Sequence, residues 1–318
     1  MIYVLCANPA WDRMLLFESQ LLLNAVNRVE KVREVAGGKG VNVARAIKTV
    51  GGTSELLLFL GGWQGERFAA FLKQEGLSFH SFPVQGETRV TTVLHEEGPG
   101  RHTVINEPGP LVPIEGALRV ERYLEDRLCE GDYLVLSGSL PRGIRVDWYA
   151  RLLAIARAKK CFGVLDTSGI YLKRAFQNLP FMVKPNVEEA EELLGHTICS
   201  QEDKLRAVSE LQRWGVVAVV LSDGPRGLTV AWGAKRFLVS VENCRFGSYG
   251  IGSGDTLVGA MVFGLERKWS LEKVLRFAAA CGLANTLCPG AGCFDPHFAW
   301  MLQEKVVVKE VKELGEKG

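Results

Sequence analysis

The sequence contains no apolar run that approaches the roughly 18 residues needed to span a bilayer. Its first residues, Met1–Cys6, are not basic, and the polar Asn8 follows too soon for a secretory signal. The 38 Lys and Arg residues nearly balance 36 Asp and Glu residues, and they form no cluster typical of a nucleic-acid-binding surface. These absences predict a cytoplasmic protein that binds neither a membrane nor nucleic acid.

Familiar metal and nucleotide motifs are also missing. None of the eight cysteines belongs to a Cys-x-x-Cys pair, and no histidine lies at zinc-ligand spacing beside one. Several cysteines stand in apolar runs, where a free thiol behaves as a small hydrophobic group. No Walker A motif occurs either. We therefore expect the cysteines to be reduced and structural.

What the sequence does contain is an alternation of apolar, strand-like runs with amphipathic helical stretches, over 318 residues that are 47% hydrophobic. This alternation is typical of βαβ units and predicts an α/β fold around a mostly parallel sheet. The length suits one large domain. Strands are predicted at Ile2–Ala7, Glu55–Leu60, Tyr133–Ser137, Cys161–Asp166, Phe181–Lys184 and Val216–Ser222, and helices at Glu66–Glu75, Asp147–Lys159, Asn186–Leu194, Lys204–Trp214, Thr256–Leu265 and Leu271–Leu287.

Two segments interrupt the alternation. Residues 88–106 are typical of a β-hairpin, because alternating β-branched residues flank a Glu-Glu-Gly-Pro-Gly turn. Residues 13–35 mix polar and apolar positions and show no helix caps. An antiparallel hairpin attached to a parallel core is either a lid that closes over an active site or a peripheral edge hairpin. The sequence pattern leaves both alternatives open.

Two glycine-rich turns, each followed by a helical pattern, are the main chemical signal. The first, at 37–42, is Gly-Gly-Lys-Gly-Val-Asn, and the second, at 250–255, is Gly-Ile-Gly-Ser-Gly-Asp. Such turns expose backbone N–H groups at the positive end of a helix dipole, where an anion binds. Two anion sites suit an enzyme that holds two phosphorylated molecules against each other. The pair of turns therefore indicates phosphoryl transfer.

Phosphoryl transfer to a hydroxyl needs positioned phosphates, neutralised charge and a carboxylate that accepts the proton. Asp255 is the candidate base, and the N–H groups of Gly252–Gly254 lie at the same helix start. The alternative is that Asp255 is an N-cap, a common role for Asp at that position. At the first turn Lys39 can reach an anion, and Asn42 offers a sugar hydroxyl both a donor and an acceptor. A lysine in a glycine-rich turn is, however, usually solvated.

These turns belong to a longer series of motifs. In chain order they are Asn-Pro-Ala-x-Asp at 8–12, Val-Asn-Arg at 26–28, the first turn with Gly51 and Gly61, Ser-Gly-Ser-Leu-Pro at 137–141, Asp-Thr-Ser-Gly at 166–169, Lys-Pro-Asn-x-x-Glu at 184–189, Ser-x-Gly-x-x-Gly at 222–227, and the second turn with Gly259-Ala260. Over nearly its whole length, the chain resembles the ribokinase/PfkB family of sugar kinases. The resemblance implies a ribokinase-like, doubly wound α/β fold with helices on both faces, as a single kinase domain spanning 1–318. It also implies a small β-strand lid formed by residues about 11–35 and 88–106.

The resemblance implies a role for each matching residue. Asp255 would deprotonate the acceptor hydroxyl, and the amides of Gly252, Ser253 and Gly254 would form an anion hole. Asp12, Gly38 and Asn42 would hold the sugar hydroxyls. Lys39, Arg28, Arg89 and Ser139 would bind the phosphate that the substrate already carries, because the motifs are most similar to the branch acting on phosphorylated ketohexoses.

The resemblance also implies a site for ATP and Mg²⁺. ATP would be bound by Lys184, Asn186, Ser222, Gly224 and Gly227, and Mg²⁺ would be held by Glu189 with Asn186, largely through water. Simpler interpretations remain: a solvated acidic helix face at 188–192, a plain turn at 224–227, and turn residues at Asp12 and Asp166. For Asp166 the turn interpretation is preferred.

Four positions, in three segments, depart from the family pattern. Tyr249 and Gly250 stand where the family usually has Asn followed by Ser, Thr or Pro. Val104 stands where the ketohexose branch commonly has Glu, and Trp11 where a smaller apolar residue is usual. These departures bear on the preference for nucleotide and sugar.

The resemblance favours the ATP-dependent conversion of fructose 1-phosphate to fructose 1,6-bisphosphate. Alternatives within the family are tagatose-6-phosphate kinase, 6-phosphofructokinase, or a kinase of an unphosphorylated sugar or nucleoside. Outside this class, a non-catalytic sugar-phosphate sensor remains, whereas a nicotinamide-dependent oxidoreductase is disfavoured because the first strand does not run into Gly-x-Gly-x-x-Gly. Some relatives dimerise through the lid, so a homodimer of this kind is an open alternative here.

Overall fold

The computed structural model describes residues 1–96, 101–242, 244, 246–247 and 249–311. The tip of the predicted hairpin, at 97–100, lies outside the described residues. The strands are β1 Ile2–Cys6, β2 Ala10–Phe17, β3 Lys31–Gly37, β4 Glu55–Leu60, β5 Phe79–Pro83, β6 Arg89–Glu96, β7 Arg101–Asn106, β8 Tyr133–Ser137, β9 Phe162–Asp166, β10 Met182–Val183, β11 Ala218–Ser222, β12 Leu228–Trp232, β13 Lys235–Val241 and β14 Val306–Val311.

The α-helices connect these strands along the chain. They are α1 Lys39–Thr49, α2 Gly62–Gln74, α3 Ile114–Arg127, α4 Trp148–Ala158, α5 Gly169–Ala175, α6 Val187–Leu194, α7 Gln201–Arg213, α8 Ser253–Glu266, α9 Leu271–Thr286 and α10 Pro296–Leu302. Among the described residues, no helix is both long and apolar enough to cross a membrane.

Most strands form one large sheet. Its order is β14-β13-β12-β11-β10-β9-β8-β1-β4-β5 across the described part of the chain. The strands from β11 to β5 pair in parallel, whereas β12, β13 and β14 add an antiparallel edge. The parallel strands are almost wholly buried, as expected when both faces of a sheet are covered. The predicted mostly parallel α/β sheet is confirmed.

The two faces of this sheet carry separate apolar cores. Along β1, Ile2 and Val4 face one core, while Tyr3 and Leu5 face the other, because successive strand side chains point to opposite faces. Helices α1, α2, α8, α9 and α10 supply the first core, and helices α3 to α7 supply the second. Helices therefore cover both faces, which confirms the doubly wound arrangement.

A second, four-stranded sheet has the order β3-β2-β6-β7 within the described residues. The β6–β7 pair confirms the predicted hairpin, with Thr91 opposite Asn106 and Glu96 opposite Arg101. The segment at 13–35, which showed no helix caps, contributes β3 and most of β2, and β2 pairs in parallel with β6. Strand β7 is exposed along its whole length, which explains its mixed polar and apolar sequence.

The order of the large sheet determines where a ligand fits. The chain leaves β1 toward β4 and β5 on one side, and later continues from β8 on the other side of β1. In open α/β sheets, ligands bind at such a reversal, beyond the carboxyl ends of the strands. The reversal between β1 and β8 therefore predicts the location of a cavity.

Helices α1 and α8 pack closely beside that reversal. A Cβ atom at Gly259 of α8 would lie 2.8 Å from the carbonyl oxygen of Val43 and 3.0 Å from Cβ of Ala46, both in α1. Glycine is therefore required for the helices to approach this closely. Their first turns, one from each glycine-rich segment, lie side by side as a result.

Candidate active site

A polar cavity of about 220 Å³ lies at the reversal between β1 and β8. We call it the substrate cavity. It brings together three predicted substrate residues, Lys39, Arg89 and Ser139. The remaining lining residues are Cys6, Asn8, Ser137, Gly138, Thr167 and Ser168, which follow or end strands β1, β8 and β9.

Arg89 and Asn8 connect the small sheet to the walls of the substrate cavity. The Arg89 guanidinium donates from Nε and Nη2 to the carbonyl oxygen of Asn8, at 3.3 and 3.1 Å. Asn8 in turn donates from Nδ2 to Oγ of Ser139, at 3.2 Å. The Arg89 guanidinium and Asn8 thereby connect the small sheet to the end of β1 and to the loop after β8.

Asp255, the predicted base, lies in the first turn of α8. The helix has Gly252 as its N-cap, and no side chain caps it, so the N-cap interpretation of Asp255 is wrong. Instead, Oδ2 of Asp255 accepts a hydrogen bond from Nδ2 of Asn42, at 2.8 Å. Burial, with the nearby charge of Asp166, raises the pKa of the Asp255 carboxyl to about 6. A carboxylate with this pKa is ionised at neutral pH and accepts a proton readily.

The turn at 250–254 is fixed by a buried amide. Asn285 of α9 donates from Nδ2 to the carbonyl oxygen of Ile251, at 3.1 Å, and to Oγ of Ser253, at 3.2 Å. Gly252 adopts a φ of 82°, and a Cβ atom there would lie 2.2 Å from Cβ of Ala291. The residue must therefore be glycine for both conformational and steric reasons. The turn presents the N-terminus of α8, where the Ser253 N–H donates to the Gly250 carbonyl oxygen at 3.2 Å, and the anion-hole role of its amides stays a prediction.

A cluster of buried charges lies beside this turn. Asp166 at the end of β9 is fully buried, and its Oδ1 lies 3.2 Å from Nζ of Lys184 and 3.4 Å from Nζ of Lys39. Lys39 also lies 3.9 Å from Oε1 of Glu189, and a Cβ atom at Gly254 would be 3.4 Å from the Lys184 ammonium. The interpretation of Asp166 as a turn residue is wrong, because its carboxylate holds both lysines next to the turn.

The same cluster shifts the pKa values of its members. Burial acts to raise the pKa of the Asp166 carboxyl, but Lys184 and Lys39 outweigh it and lower that pKa overall. The charge of Asp166 raises the pKa of the Lys39 ammonium. Lys39 is therefore protonated at neutral pH, and its ammonium lies beside the carboxylates of Asp166 and Glu189 although the side chain is 39% exposed.

Asp12 lies on β2, opposite the first glycine-rich turn. A Cβ atom at Gly37 would be 1.9 Å from Oδ2 of Asp12, so glycine makes room for the carboxylate. Burial raises the pKa of Asp12 to about 7, although Arg89 and Arg45 partly offset this effect. Gly38, the N-cap of α1, has a φ of 108°, which favours glycine.

Arg28 is placed differently from the other predicted substrate residues. It is exposed on the loop between β2 and β3. That loop is folded by Asn27, whose Oδ1 accepts from the N–H of Leu22 at 2.9 Å and whose Nδ2 donates to the Leu22 carbonyl at 2.7 Å. Among the described residues, the lining of the substrate cavity does not include Arg28.

A second cavity, of about 290 Å³, opens on the other side of the Ser253–Gly254 turn. We call it the nucleotide cavity. It contains three predicted nucleotide residues, Ser222, Gly224 and Gly227, together with Ser253 and Gly254. Its other lining residues are mainly small or apolar and come from β12, β13 and α9, among them Leu228, Val239, Ala279, Gly282 and Leu283. A cavity of this character suits a flat heteroaromatic base.

Asn186 and Glu189 form a capping box at the start of α6. Oδ1 of Asn186 accepts from the Glu189 N–H at 2.7 Å, and Oε2 of Glu189 accepts from the Asn186 N–H at 2.9 Å. Oε1 of Glu189 faces Lys39. Within the described residues, no group of three or more Asp, Glu, His or Cys side chains forms a ready metal site. The arrangement fits a hydrated Mg²⁺ that is held mainly by phosphates and reaches Glu189 through water.

The three departures from the family pattern lie in distinct environments. Trp11 is buried on the opposite face of β2 from Asp12, under the Arg67 guanidinium at 4.1 Å. Val104 is exposed on β7. Tyr249 stacks on His95 of β6, with ring centroids 6.3 Å apart and an angle of 28°. Tyr249 therefore connects the segment before the anion-binding turn to the small sheet.

Sequence reasoning missed Arg45, which is buried in α1. It donates from Nη1 to Oδ1 of Asn42 at 3.2 Å and to the Ala291 carbonyl at 3.0 Å. Its Nε and Nη2 bind the carboxylate of Glu75, each at 2.9 Å. Arg45 therefore orients the amide that bonds Asp255. A lone arginine within the apolar run 43–47 was the available signal.

The chain is similar to known proteins in sequence and in fold. A family model described as "pfkB family carbohydrate kinase" matches residues 10–297. The chain belongs to the pfkB carbohydrate kinase family. It is therefore a phosphotransferase, and kinases of this family use ATP.

Named members of the pfkB family align over most of their length. The chain is 31% identical over 291 residues to tagatose-6-phosphate kinase from Staphylococcus epidermidis, covering 90% of this chain and 92% of the relative. It is 30% identical over 294 residues to 1-phosphofructokinase from Bacillus subtilis, covering 92% and 94%. The structure of the tetrameric inhibited form of phosphofructokinase-2 from Escherichia coli superposes with a TM-score of 0.87 and 28% identity, covering 95% and 98%.

Proposed function

We propose that this pfkB family member transfers the γ-phosphoryl group of ATP to a hydroxyl of a phosphorylated ketohexose. The observation that carries the proposal is that Asp255 is connected to both cavities through its neighbours, although its own side chain lines neither. The preceding residues Ser253 and Gly254 line the nucleotide cavity, whereas Asn42, bonded to Asp255, belongs to the helix that begins at the substrate cavity. A proton acceptor therefore lies between the two candidate substrate sites.

In the proposed reaction, Asp255 takes the proton of the sugar hydroxyl as that oxygen attacks the γ-phosphorus. The backbone N–H groups at 252–254 and the ammonium groups of Lys184 and Lys39 would stabilise the charge on the transferred group. Asn42 holds the acceptor oxygen of Asp255 in place through the 2.8 Å hydrogen bond. Both lysines are already fixed by Asp166, so little reorganisation is needed during transfer.

Arg89 and Ser139 are proposed to bind the phosphate already present on the sugar. Their guanidinium and hydroxyl groups line the substrate cavity with Lys39, and arginine suits the oxygens of a phosphate. Asp12, Gly38 and Asn42 are proposed to hold sugar hydroxyls. Two substrates follow from the named relatives, fructose 1-phosphate and tagatose 6-phosphate, whose kinases are nearly equally similar to this chain. Fructose 1-phosphate is proposed as the substrate to test first, with tagatose 6-phosphate and fructose 6-phosphate as alternatives of equal standing, since a 6-phosphofructokinase is also 32% identical to this chain.

ATP is proposed to occupy the nucleotide cavity, with its phosphates toward Gly254 and Lys184. Gly227 supports this placement, because a Cβ atom there would lie 2.1 Å from the Val239 carbonyl and would disturb the cavity wall. Glu189 and Asn186 would hold Mg²⁺ through water, and the ion would screen the phosphate charges when bound.

We further propose that the chain is a single kinase domain spanning 1–318, with segments 11–35 and 88–106 as its lid. The loop between β2 and β3 and strand β7 expose apolar side chains, Leu22, Leu23, Val26, Val104 and Ile105. Exposed apolar groups on neighbouring segments suit a second copy of the chain. A homodimer through the lid is therefore proposed, and it would bring Arg28 to the interface.

The deciding experiment is a coupled ADP-release assay with Mg-ATP. Fructose 1-phosphate, tagatose 6-phosphate, fructose 6-phosphate and free fructose are compared at equal concentrations. We expect turnover with one ketohexose phosphate to exceed turnover with free fructose by at least about 10²-fold, because only a phosphate would form charge-assisted hydrogen bonds with the half-buried Arg89 and with Lys39. Turnover of the free sugar alone would contradict the roles of Arg89 and Ser139. Binding of a sugar phosphate without ADP release would favour a sensor.

A further inference from the structure

A third cleft lies beside the substrate cavity. It has a volume of about 770 Å³ and is bounded by residues 83–87 after β5 and 107–113 after β7. Arg119 of α3, Arg142 of the loop after β8, and Arg89 also line it. Arg89 lines the substrate cavity as well, so the two spaces meet at its guanidinium. We call this space the arginine cleft.

Two of the three guanidinium groups are anchored at the rim. Arg119 donates from Nη2 to the carbonyl oxygen of Pro83, at 2.9 Å. Arg142 donates from Nη2 to the carbonyl oxygen of Gly109, at 3.3 Å. A guanidinium carries five N–H donors, so each anchored group keeps donors for another acceptor. Anchoring also reduces the entropy lost when an anion binds.

Two carboxylates line the same cleft, but backbone N–H groups already engage them. Glu87 accepts from the Gln64 N–H at 2.9 Å and from the Trp63 N–H at 3.3 Å, at the start of α2. Glu107 accepts from the Val90 N–H at 2.9 Å. Their oxygens are therefore directed to the protein backbone. The arginine N–H groups are left as the donors that an external anion would meet.

The walls of the arginine cleft are stiff. Four prolines, at 83, 108, 110 and 113, line it, and each fixes its own φ angle. A stiff cleft with several guanidinium groups is suited to a phosphate, whose oxygens match the guanidinium fork. We propose that the arginine cleft is a regulatory site for a small phosphate-bearing metabolite, adjacent to the substrate cavity and sharing only Arg89 with it among the described residues.

Arg89 connects the arginine cleft to the substrate cavity, because its side chain lines both. Its guanidinium holds the Asn8 carbonyl, and Asn8 holds Ser139 on the far wall of the substrate cavity. An anion that draws Arg89 toward the cleft would compete with the sugar phosphate for the same charge. The ligand is therefore an inhibitor that raises KM for the sugar phosphate. The rise in KM for the sugar phosphate rests on the proposed function, whereas the binding of an anion in the arginine cleft does not.

The test uses inorganic phosphate and the double variant Arg119→Gln/Arg142→Gln. Calorimetric titration is done on the full chain without Mg²⁺, with chloride at matched ionic strength, and with and without saturating sugar phosphate. The control is Arg122→Gln, an exposed arginine on the same helix that does not line the cleft. We expect wild type and control to bind phosphate with sugar phosphate present, although more weakly than without it because both ligands use Arg89, and the double variant to bind it at least about tenfold more weakly than wild type under the same conditions.

Kinetics provide the second readout. In wild type, KM for the sugar phosphate should rise more steeply than linearly with phosphate concentration, because phosphate acts at two sites. In the double variant the rise should be linear, with KM in the absence of phosphate within about twofold of wild type. An unchanged phosphate isotherm in the double variant would overturn the proposal. Absence of turnover with every ketohexose phosphate would instead contradict the proposed function and leave the binding test intact.

Discussion

Replacing Asp255 with asparagine tests the proposed base and its environment together. The Asp255 side chain is 6% exposed. The carboxylates of Asp166 and Glu189 belong to the same charged cluster, in which Asp166 pairs with Lys39 and Lys184 and Glu189 lies near Lys39. Asp255→Asn keeps the size of the side chain and an oxygen that can accept the Asn42 hydrogen bond. It removes only the charge and the capacity to take a proton.

The structure predicts opposite effects on activity and stability. Loss of a general base lowers kcat by about 10²–10⁴-fold. The pKa of Asp255, raised from 3.8 to about 6, corresponds to a destabilisation of about 3 kcal/mol once the group is ionised. For a domain of this length, relief of that penalty raises Tm by about 4 °C. The variant should therefore be inactive and more stable than wild type.

The sign of the pH dependence follows from linkage. Because the folded-state pKa lies above the unfolded one, the native chain holds more protons between pH 4 and 6. The Asp255 contribution to stability therefore falls as pH rises through that window, and its full penalty is present above pH 6. The gain in Tm should be absent near pH 4 and complete near pH 7. The kcat/KM of wild type should fall as pH drops below about 6.

The assay is ligand-free thermal unfolding of wild type and Asp255→Asn from pH 4 to 8, with coupled ADP release on the same samples. Asp126→Asn, an exposed carboxylate on α3, serves as the control and should show neither effect. A variant that is inactive but less stable than wild type at pH 7 would refute the buried-charge argument. A variant with near-normal turnover would refute the role of base.

Two further predictions concern the segments around the anion-binding turn. Gly252→Ala places a Cβ atom 2.2 Å from that of Ala291 and forces alanine to φ 82°, so kcat should fall by about 10²–10³-fold. The control is Gly51→Ala, which forces alanine to the same φ of 82° in open space away from both cavities and should keep a kcat near wild type. Equal losses of kcat in both variants would contradict the proposed role of the turn at 250–254. His95→Ala and Tyr249→Ala should each raise KM for ATP and sugar phosphate, because each variant removes the same ring contact. The double variant should have a kcat/KM no lower than that of the more impaired single variant. Fully additive losses in kcat/KM would show that the two rings act independently.

The sequence predicted the large sheet well because its strands are simple apolar runs. Glu55–Leu60 and Tyr133–Ser137 agree with β4 and β8 residue for residue, and the central helices differ from their predicted bounds mainly by a turn or less at one end. Helix α3 was not predicted, because its N-cap is Pro113, which provides no side-chain hydrogen bond, and charged residues separate its apolar positions. The order of strands, and hence the reversal between β1 and β8, required the structure.

Local sequence predicted many of the residues that the structure brings together at the candidate site, but Arg28 lies away from the substrate cavity and the pairing of the charges was not predicted. Asp166 was undervalued because an Asp after an apolar strand is common in turns, and only tertiary structure places two lysines on it. Asn285 and Arg45 carry no motif, and their importance lies in hydrogen bonds to segments far along the chain. Such hydrogen bonds leave no periodic pattern in the sequence, because each depends on a single polar residue inside an apolar helix.

The proposed proton acceptor and the proposed phosphate-binding arginine lie on different parts of the fold. Asp255 and Asn42 lie on helices that contact each other directly through Gly259, and Arg45 ties the same turn of α1 to the chain at Ala291. The distance between base and acceptor site is therefore set by helix packing. Arg89, by contrast, reaches the substrate cavity from the small sheet, so the groups proposed to recognise the sugar's phosphate can vary without disturbing the proton acceptor. The chain is about equally similar to pfkB relatives named for different sugars, as such a separation of the proposed proton acceptor from the proposed phosphate-binding groups would allow.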